Sequence, residues 1–536
     1  MTEKKTRSHW HWGFVEDFPD EAAREALSAQ AAFLIPSFEA RKPEELPRIE
    51  DVSLRNARIE IPAALASCAT SDTRARAMHA SGKGYRDVVR AFRNAFPCAP
   101  DVVVSPEREE DVAAAFEFCA KSGAVLVPFG GGTSVVSGVT YDGARPIVCL
   151  DLGKMRRVLD VDRASRLATI ECGASGPDLE AQLAAHDLSL RFYPQSFELS
   201  TLGGWIATRA GGHFATGWTH VDEMVSSLRM IAPGGAFETR TLPASGAGPD
   251  PNRVAIGSEG ALGVIVSATM RALPRPVHRA QATIFFDDVA RAIDAARGVA
   301  QSGLWPSNCR VIDRVEAMLS GVSADKSALL LAFESADHEL DAWMDRALHI
   351  ASRAGGAFDP PRYRRGGQKA RGSAGAETYR AAFLRGPYFQ SALVPYGVML
   401  DTFETACSWS RFAELDREVR AALADVTRGG AMVAMRLSHV YPDGCAPYYT
   451  FGVEARRGHE IEQHESIKRA ACDAIERAGG TITHHHAVGR LHRPWYERER
   501  PAPFGEMLRA QKRVLDPHSI MNPGVLVAEA DVIRDR

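Results

Sequence analysis

Three consecutive histidines, His484, His485 and His486, are side chains that can move protons or hold phosphate near neutral pH. Gly479-Gly480 and Thr481-Ile-Thr483 precede them, which places the run on a strand or strand end. Side chains alternate there, so His484 and His486 face one way and His485 the other. One strand therefore cannot present all three to one metal. No His-Glu-x-x-His and no cysteine pair lies nearby, so no metal is expected. Arg490, His492 and Arg493 add positive charge just downstream. The plain alternative is a solvated polar strand end.

Three glycine-rich segments supply a different chemistry. Pro128-Phe129-Gly130-Gly131-Gly132-Thr133-Ser134 directly follows an apolar strand. Its glycines let backbone N–H groups turn inward without a Cβ clash, a nest suited to pyrophosphate, and Thr133 and Ser134 add hydroxyls. The G-x-G-x-x-G spacing is absent and no helix follows, so this is not a Rossmann fingerprint. Alone it reads equally as a glycine turn between strands. The second segment, Pro194 to Gly212, offers Gln195, Ser196, Ser200, Thr201 and Thr208. Gly203 and Gly204 permit close backbone approach, and Arg209 is placed to pair with a phosphate or with a carboxylate. The third, Gly257 to Ile265, is a glycine loop running into a strand and contains Glu259, Gly260, Gly263, Val264 and Ile265. Each segment is weak evidence; the three in this order point to FAD.

The set resembles the vanillyl-alcohol-oxidase/p-cresol-methylhydroxylase superfamily. That resemblance implies non-covalent FAD, with the first loop at the pyrophosphate, the second along the flavin and ribityl chain, and the third on the adenine side. A more specific similarity, from His11-Trp12-Gly13 to the tail, is to the alkyldihydroxyacetonephosphate synthase family. It is carried by Met78 to Gly82 and by Asn308 to Asp313, which places Arg310 by the flavin. Met435 to Tyr441 and Tyr448 to Phe451 match that family's active-site hairpin, and His484 to Gly489 its histidine triplet. The resemblance implies catalytic roles for Tyr448, His484, His485, His486 and Arg310, with Tyr448 as proton donor and acceptor. It implies substrate contacts at Arg436, Gln390 and Arg490. A free phenol has a pKa near 10, so Tyr448 needs positive neighbours to act as a base. Arg436, Arg310 and the histidines are the candidates; an aromatic packed on a sheet is the alternative for Tyr448.

The implied reaction exchanges the acyl group of acyl-dihydroxyacetone phosphate for a long-chain alcohol through a flavin N5 adduct, giving an ether lipid precursor. One position departs from the family. Gln390 stands where an arginine binds the departing carboxylate, and a neutral amide cannot replace a guanidinium fork. Arg385 lies five positions earlier. The departure motivates a second reading, an FAD-linked oxidase or dehydrogenase of a hydroxy acid or alcohol. A non-catalytic flavin-binding protein is a third, opposed by the clustered histidines, tyrosine and arginines.

The elements that must position these groups read as α+β. The resemblance implies a two-subdomain FAD-binding domain of the p-cresol-methylhydroxylase type plus an α/β cap domain with an antiparallel sheet. The divisions are a partly helical lead-in over 1–97, an FAD-binding domain over 98–275, a substrate-binding cap over 276–480, and a segment over 481–536 that returns to the flavin. Helices are expected over Asp20 to Phe33, Glu110 to Lys121, Asp287 to Ser302, Ser410 to Ala424 and His459 to Ala478, and one to Ala354 with Ser335 as its N-cap. Met432 to Tyr441 and Ala446 to Glu454 form a hairpin about Tyr441-Pro-Asp-Gly444. The basic, Pro/Gly-rich stretch 355–375 reads as a mobile loop.

Composition closes off other classes. The chain has 536 residues, 45% apolar and 24% charged, and a net charge of -3, which gives a nucleic-acid role no support. No apolar run approaches a membrane span or follows the basic start as in a secretory signal. The last residues, Val532 to Arg536, are not a recognised address. Nine scattered cysteines without a Cys-x-x-Cys fit reduced thiols in a cytosol. The expectation is a cytoplasmic enzyme with a small-molecule or lipid substrate. Lipid would imply peripheral membrane contact through the 355–375 stretch, unless that stretch is only a solvated linker; a homodimer is held open.

Overall fold

The computed structural model describes residues 5–212, 214, 216–366 and 374–529. The terminal pentapeptide and the centre of the 355–375 stretch lie outside these residues. The architecture is α+β, built on three large sheets.

The first sheet has four strands in the order Ala69–Thr70, Val102–Val104, Ile147–Asp151, Val125–Phe129. Ile147–Asp151 pairs in parallel with both Val102–Val104 and Val125–Phe129. Parallel strands need a crossover, here the Glu109–Ser122 helix, which ends at Gly123 in the left-handed region (φ 68). The three parallel strands are buried, so they read as near-continuous apolar runs rather than as an alternation.

The second sheet is antiparallel, in the order Val158–Asp162, Leu167–Glu171, Val264–Arg271, Val225–Ala232, Gly235–Glu238. The helices Gly176–Ala184 and Leu202–Thr208 pack against it through Leu179, Leu183, Leu202, Trp205 and Ile206.

The third sheet has nine strands and every pairing is antiparallel. Its centre runs His278–Phe286, Ser327–Ser335, Asn308–Ile312, Met432–Val440, Gly444–Glu454, Val398–Glu404. Period-two alternation divides its faces. Cys309, Val311, Met435, Leu437, Tyr449, Phe451 and Phe403 enter one large core under the helices Val289–Ala300, Asp341–Arg353, Trp409–Val426 and Glu460–Arg477. Arg310, Arg436, Tyr448 and Thr450 project from the other face into a cavity.

Several expectations are corrected. Ser335 ends a strand and turns the chain by accepting from the N–H groups of Asp337 and His338; the next helix begins at Asp341. The 355–375 stretch is not one loop. Ala357–Phe358 and Arg362–Arg364 pair with the edge strand His278–Phe286, and a helix starts at Ala374. The 194–212 segment forms the Leu202–Thr208 helix, capped by Thr201, whose Oγ1 accepts from the Gly204 N–H at 3.4 Å. The histidine triplet lies on bends, not on a strand. The nine cysteines are free thiols, but Cys407 and Cys445 are far from scattered in space: they oppose each other across two strands.

Candidate active site

The three glycine segments converge on a cavity of about 430 Å³. A Cβ at Gly131 would overlap the Leu199 carbonyl, one at Gly130 the Thr201 hydroxyl, and Gly132 sits at φ +63. Side chains are thus excluded where the first loop meets the second. Ser134 Oγ accepts from the Gly138 N–H at 2.9 Å, closing the first loop. Ser196 donates to Ser200 Oγ at 2.9 Å, and the Trp205 indole donates to the same oxygen at 2.7 Å, so the hydroxyls are pre-oriented. Thr208 donates to the Gly204 carbonyl at 2.8 Å, and Gln195 Nε2 to the Phe383 carbonyl at 2.6 Å.

Glu259 ties the third loop to the tail. Its carboxylate accepts from the N–H groups of Val488 at 2.8 Å and Gly489 at 2.7 Å. Asn522 Nδ2 donates to the Glu259 carbonyl at 2.8 Å and the Gly138 carbonyl at 2.9 Å. Burial pushes the Glu259 carboxyl up to about 7, against the pull of those two N–H groups and of Arg490. Pro128, Phe129, Thr133, Gly204, Gly260, Gly263, Val264 and Ile265 also line the cavity.

Two predicted residues are elsewhere. Arg209 does not line the cavity; it pairs with Asp222 at 3.3 Å with its side chain 54% exposed. Arg490 was expected at the substrate. It instead donates to the carbonyls of Ser137, Gly138 and Pro523 and to Asn522 Oδ1, clamping the first loop to the tail from behind.

The nine-stranded sheet supplies the candidate reactive groups. Tyr448 donates to Thr402 Oγ1 at 3.0 Å, and the Arg436 guanidinium lies 3.8 Å over its ring. Arg436 is held by Glu316 at 2.9 Å. Arg310 is 5% exposed and packs beside Tyr379 and Phe383; among the described residues it makes no ion pair, and its Nε has no partner. The cavity wall therefore carries a buried guanidinium with no ion pair among the described residues, its charge eased by Tyr379 and by the field of Glu316. Burial raises the Tyr448 phenol, and Arg436 and Thr402 only partly offset this, so it keeps its proton at neutral pH. Gln390 lines the cavity and donates to Asp401 Oδ1 at 3.1 Å; Arg385 is exposed and outside the cavity.

The triplet is organised by Glu404, a residue to which its own segment assigns no role. Glu404, 1% exposed, accepts from the N–H groups of His484 (2.7 Å), His485 (3.2 Å) and His486 (3.0 Å) and from the Thr483 hydroxyl (2.5 Å). Burial opposes its charge, but His485, His486, His484 and the Thr483 hydrogen bond hold the carboxyl well below the usual range. Capping three successive amides forces a bend, and the strand alternation fails. His484 Nδ1 and His485 Nδ1 meet at 3.0 Å, so one donates and the other accepts. His484 Nε2 also bonds the Tyr441 hydroxyl at 2.6 Å. His485 and His486 line the cavity and flank Tyr448; His484 stands behind them.

His439 was missed, although its neighbours Arg436 and Tyr448 were not. A bulge between Leu437 and His439 reverses the alternation, so Val440 returns to the core while Ser438 and His439 both face the cavity. Nitrogens of His439, His484 and His485 lie within 4.8 Å of one another, the spacing of a set that can hold a metal ion. Three histidines do converge, but from two elements rather than one strand. Burial, then neighbouring histidines (His484 for His439, His220 for His484), pushes His439 and His484 well down; burial brings His485 to about 3. These imidazoles are neutral at pH 7 and do not lend Tyr448 the positive charge expected of them.

Lys83 and Trp12 line the same cavity and carry no sequence signal of their own. Burial and then Arg7 bring the Lys83 ammonium down to about 7. The cavity also has an apolar arm walled by Leu27, Ala31 and Leu34 of the Glu21–Leu34 helix and by Leu393, Leu400 and Met432.

Comparison with known proteins agrees with this geometry. The family "FAD binding domain" matches residues 100–240, and "FAD linked oxidases, C-terminal domain" matches 275–526. The chain is similar to alkyldihydroxyacetonephosphate synthase of Dictyostelium discoideum, 29% identical over 487 residues, covering 85% of this chain and 78% of that protein. It is also similar to mitochondrial D-lactate dehydrogenase (cytochrome) of Arabidopsis thaliana, 27% identical over 443 residues, covering 80% and 73%. A solved alkyldihydroxyacetonephosphate synthase superposes with a TM-score of 0.79 at 24% identity, covering 96% of this chain and 98% of that one. Substrate-bound p-cresol methylhydroxylase superposes with a TM-score of 0.68 at 15% identity, covering 88% and 96%, a likeness of fold. FAD is the cofactor of this chain, and the glycine cradle fits it.

Proposed function

We propose that this chain, an FAD-dependent enzyme that resembles alkyldihydroxyacetonephosphate synthase and has the fold of the vanillyl-alcohol-oxidase/p-cresol-methylhydroxylase superfamily, exchanges the acyl group of acyl-dihydroxyacetone phosphate for a long-chain alcohol. The observation that carries this reading is the junction at Tyr448. There a buried guanidinium, Arg310, with no ion pair among the described residues, shares one cavity with an apolar arm and the FAD cradle. That combination suits a molecule with an anionic head and a long chain. The division into an FAD domain over 98–275, a cap over 276–480, and closing segments over 1–97 and 481–536 belongs to the same proposal.

Bound FAD supplies an electrophilic ring system against which the two chains are exchanged, held by the three loops without a covalent link. The protein's own groups handle charge and protons. Arg310 and Arg436 orient the anionic groups. Tyr448, protonated at rest, gives its proton to a departing oxygen, and Arg436 over the ring stabilises the phenolate left behind. The neutral imidazoles of His485 and His486 are the nearby proton acceptors. A bound phosphate raises their pKa by adding a second anion to the field of Glu404. The Glu21–Leu34 helix walls the arm and exposes Phe33 (81%), an apolar contact for the membrane surface from which lipid would enter.

The test is exchange without an electron acceptor. FAD-loaded protein given acyl-dihydroxyacetone phosphate and a long-chain alcohol should release fatty acid and form the ether ketone; no ether product would sink the reading. A second reading, a dehydrogenase of a hydroxy acid or alcohol, is favoured by Gln390, whose amide is committed to Asp401. It predicts anaerobic bleaching of the flavin by such a substrate.

A further inference from the structure

Cys407 and Cys445 are separated in the chain by the Trp409–Val426 helix and the Met432–Val440 strand. Yet they are direct partners where Cys407–Ser408 pairs with Gly444–Glu454. Opposed residues in an antiparallel pair have Cα atoms ~4.5–5.5 Å apart, inside the ~4.4–6.8 Å that a disulfide spans. Both side chains lie on the helix-covered face of the sheet. Cys445 is buried in the core, and Cys407 packs against it while remaining partly exposed. The proximity of the two thiols draws Cys407 down against the effect of burial and, with burial, sends Cys445 up. Burial raises the other seven thiols. One partner is thus the accessible nucleophile and the other a buried resolving thiol.

This ladder also carries the candidate active site. Glu404 and Tyr448 are opposed in register three residues before Cys407 and three after Cys445. Between them Thr405 donates to the Thr481 carbonyl at 2.5 Å, and the Ala406 carbonyl accepts from the Thr481 N–H at 3.1 Å. The strand end that holds the histidine segment is therefore the one a bond at Cys407 would fix.

We propose that Cys407 and Cys445 are a hydroperoxide-oxidisable dithiol whose disulfide pins the Glu404 strand end to the hairpin bearing Tyr448. The Cys407 thiolate attacks the O–O bond of the peroxide, giving a sulfenic acid and releasing an alcohol, or water from hydrogen peroxide. The Cys445 sulfur then displaces the sulfenic oxygen, which leaves as water once it has taken up the thiol proton. Two thiols are oxidised by two electrons in all and one peroxide is reduced.

FAD-loaded full-length protein is treated with hydrogen peroxide, alkylated, digested without reductant and analysed by mass spectrometry. The expected result is a Cys407–Cys445 linked peptide, with alkylation lost at both positions and restored by dithiothreitol. In Cys445→Ser the link is lost and dimedone traps Cys407. Hydrogen exchange on the linked protein should show slower exchange of the His484–His486 amides. Both cysteines remaining alkylatable in the folded wild-type protein, or Cys407 passing to sulfinic acid without linkage, overturns the assignment. Linkage without slowed exchange overturns the pinning. These readouts do not depend on the substrate reading.

Discussion

Tyr448 and Glu259 show how burial sets protonation residue by residue. Tyr448 is raised by burial, with Arg436 at 3.8 Å pulling the other way. If it is the proton carrier, Tyr448→Phe should lower the exchange rate by roughly 10²- to 10⁴-fold while the bound-flavin spectrum is unchanged; retained turnover would remove Tyr448 from the chemistry. Glu259 makes a prediction about pH. Its folded carboxyl sits at about 7 against an ordinary 4.5. A raised folded value means the folded state binds more protons than the unfolded one across that interval. The stabilisation is complete below about pH 4.5 and is lost as pH rises through about 7, some 3 kcal/mol in all. Urea titrations from pH 4.5 to 8 should show that loss, and Glu259→Gln should flatten it. At the same scale lie the residues that sequence reading missed. Nothing in Asp401-Thr-Phe-Glu404 announces that Glu404 will cap amides 80 residues away, because that contact exists only after the sheet forms.

Elements decide where the same side chains can act. The alternation of the Met432–Val440 and Gly444–Glu454 strands puts Arg436 and Tyr448 on one face, and it was readable from their pattern. The bulge that turns His439 inward was not, because the bulge depends on the partner strand. Arg490 is a clamp between elements. Arg490→Ala removes bonds to Ser137, Gly138, Asn522 and Pro523 and should weaken FAD binding by roughly 10- to 100-fold, the loss of one or two charge-assisted hydrogen bonds. With FAD saturating, KM for substrate should not move; fluorescence titration and steady-state kinetics separate the two. The Glu21–Leu34 helix walls the apolar arm with Ala31. Ala31→Phe should shift preference toward shorter alcohols by roughly 10-fold or more, since each methylene in an apolar pocket is worth ~1–3 kcal/mol. An unchanged chain-length profile would place the alkyl chain elsewhere.

At the scale of the molecule, one ligand site gathers the ends and the middle of the chain. Arg7 donates to the Gly131 carbonyl at 2.6 Å, Met521 bridges Leu126, and Asn522 joins Gly138 to Glu259. FAD seated among these segments binds the folded chain and not the unfolded one. At a hundredfold excess over Kd it should add about 2.7 kcal/mol of stability, seen as a rise in the melting temperature with FAD concentration. Among the described residues no helix is long and apolar enough to cross a membrane. What the sequence by itself determined was local: glycine loops placed after strands, hydroxyls on the second segment, and the faces of an amphipathic hairpin, each set by neighbours within a few residues. What only the tertiary structure decided was long-range. Arg490 became a clamp because Asn522 folds back to it, the histidine triplet became a bend because Glu404 gathers its amides, and Cys407 met Cys445 because a helix and a strand intervene and return. Those contacts form between segments whose separation in sequence carries no periodic signal, so no local pattern could announce them.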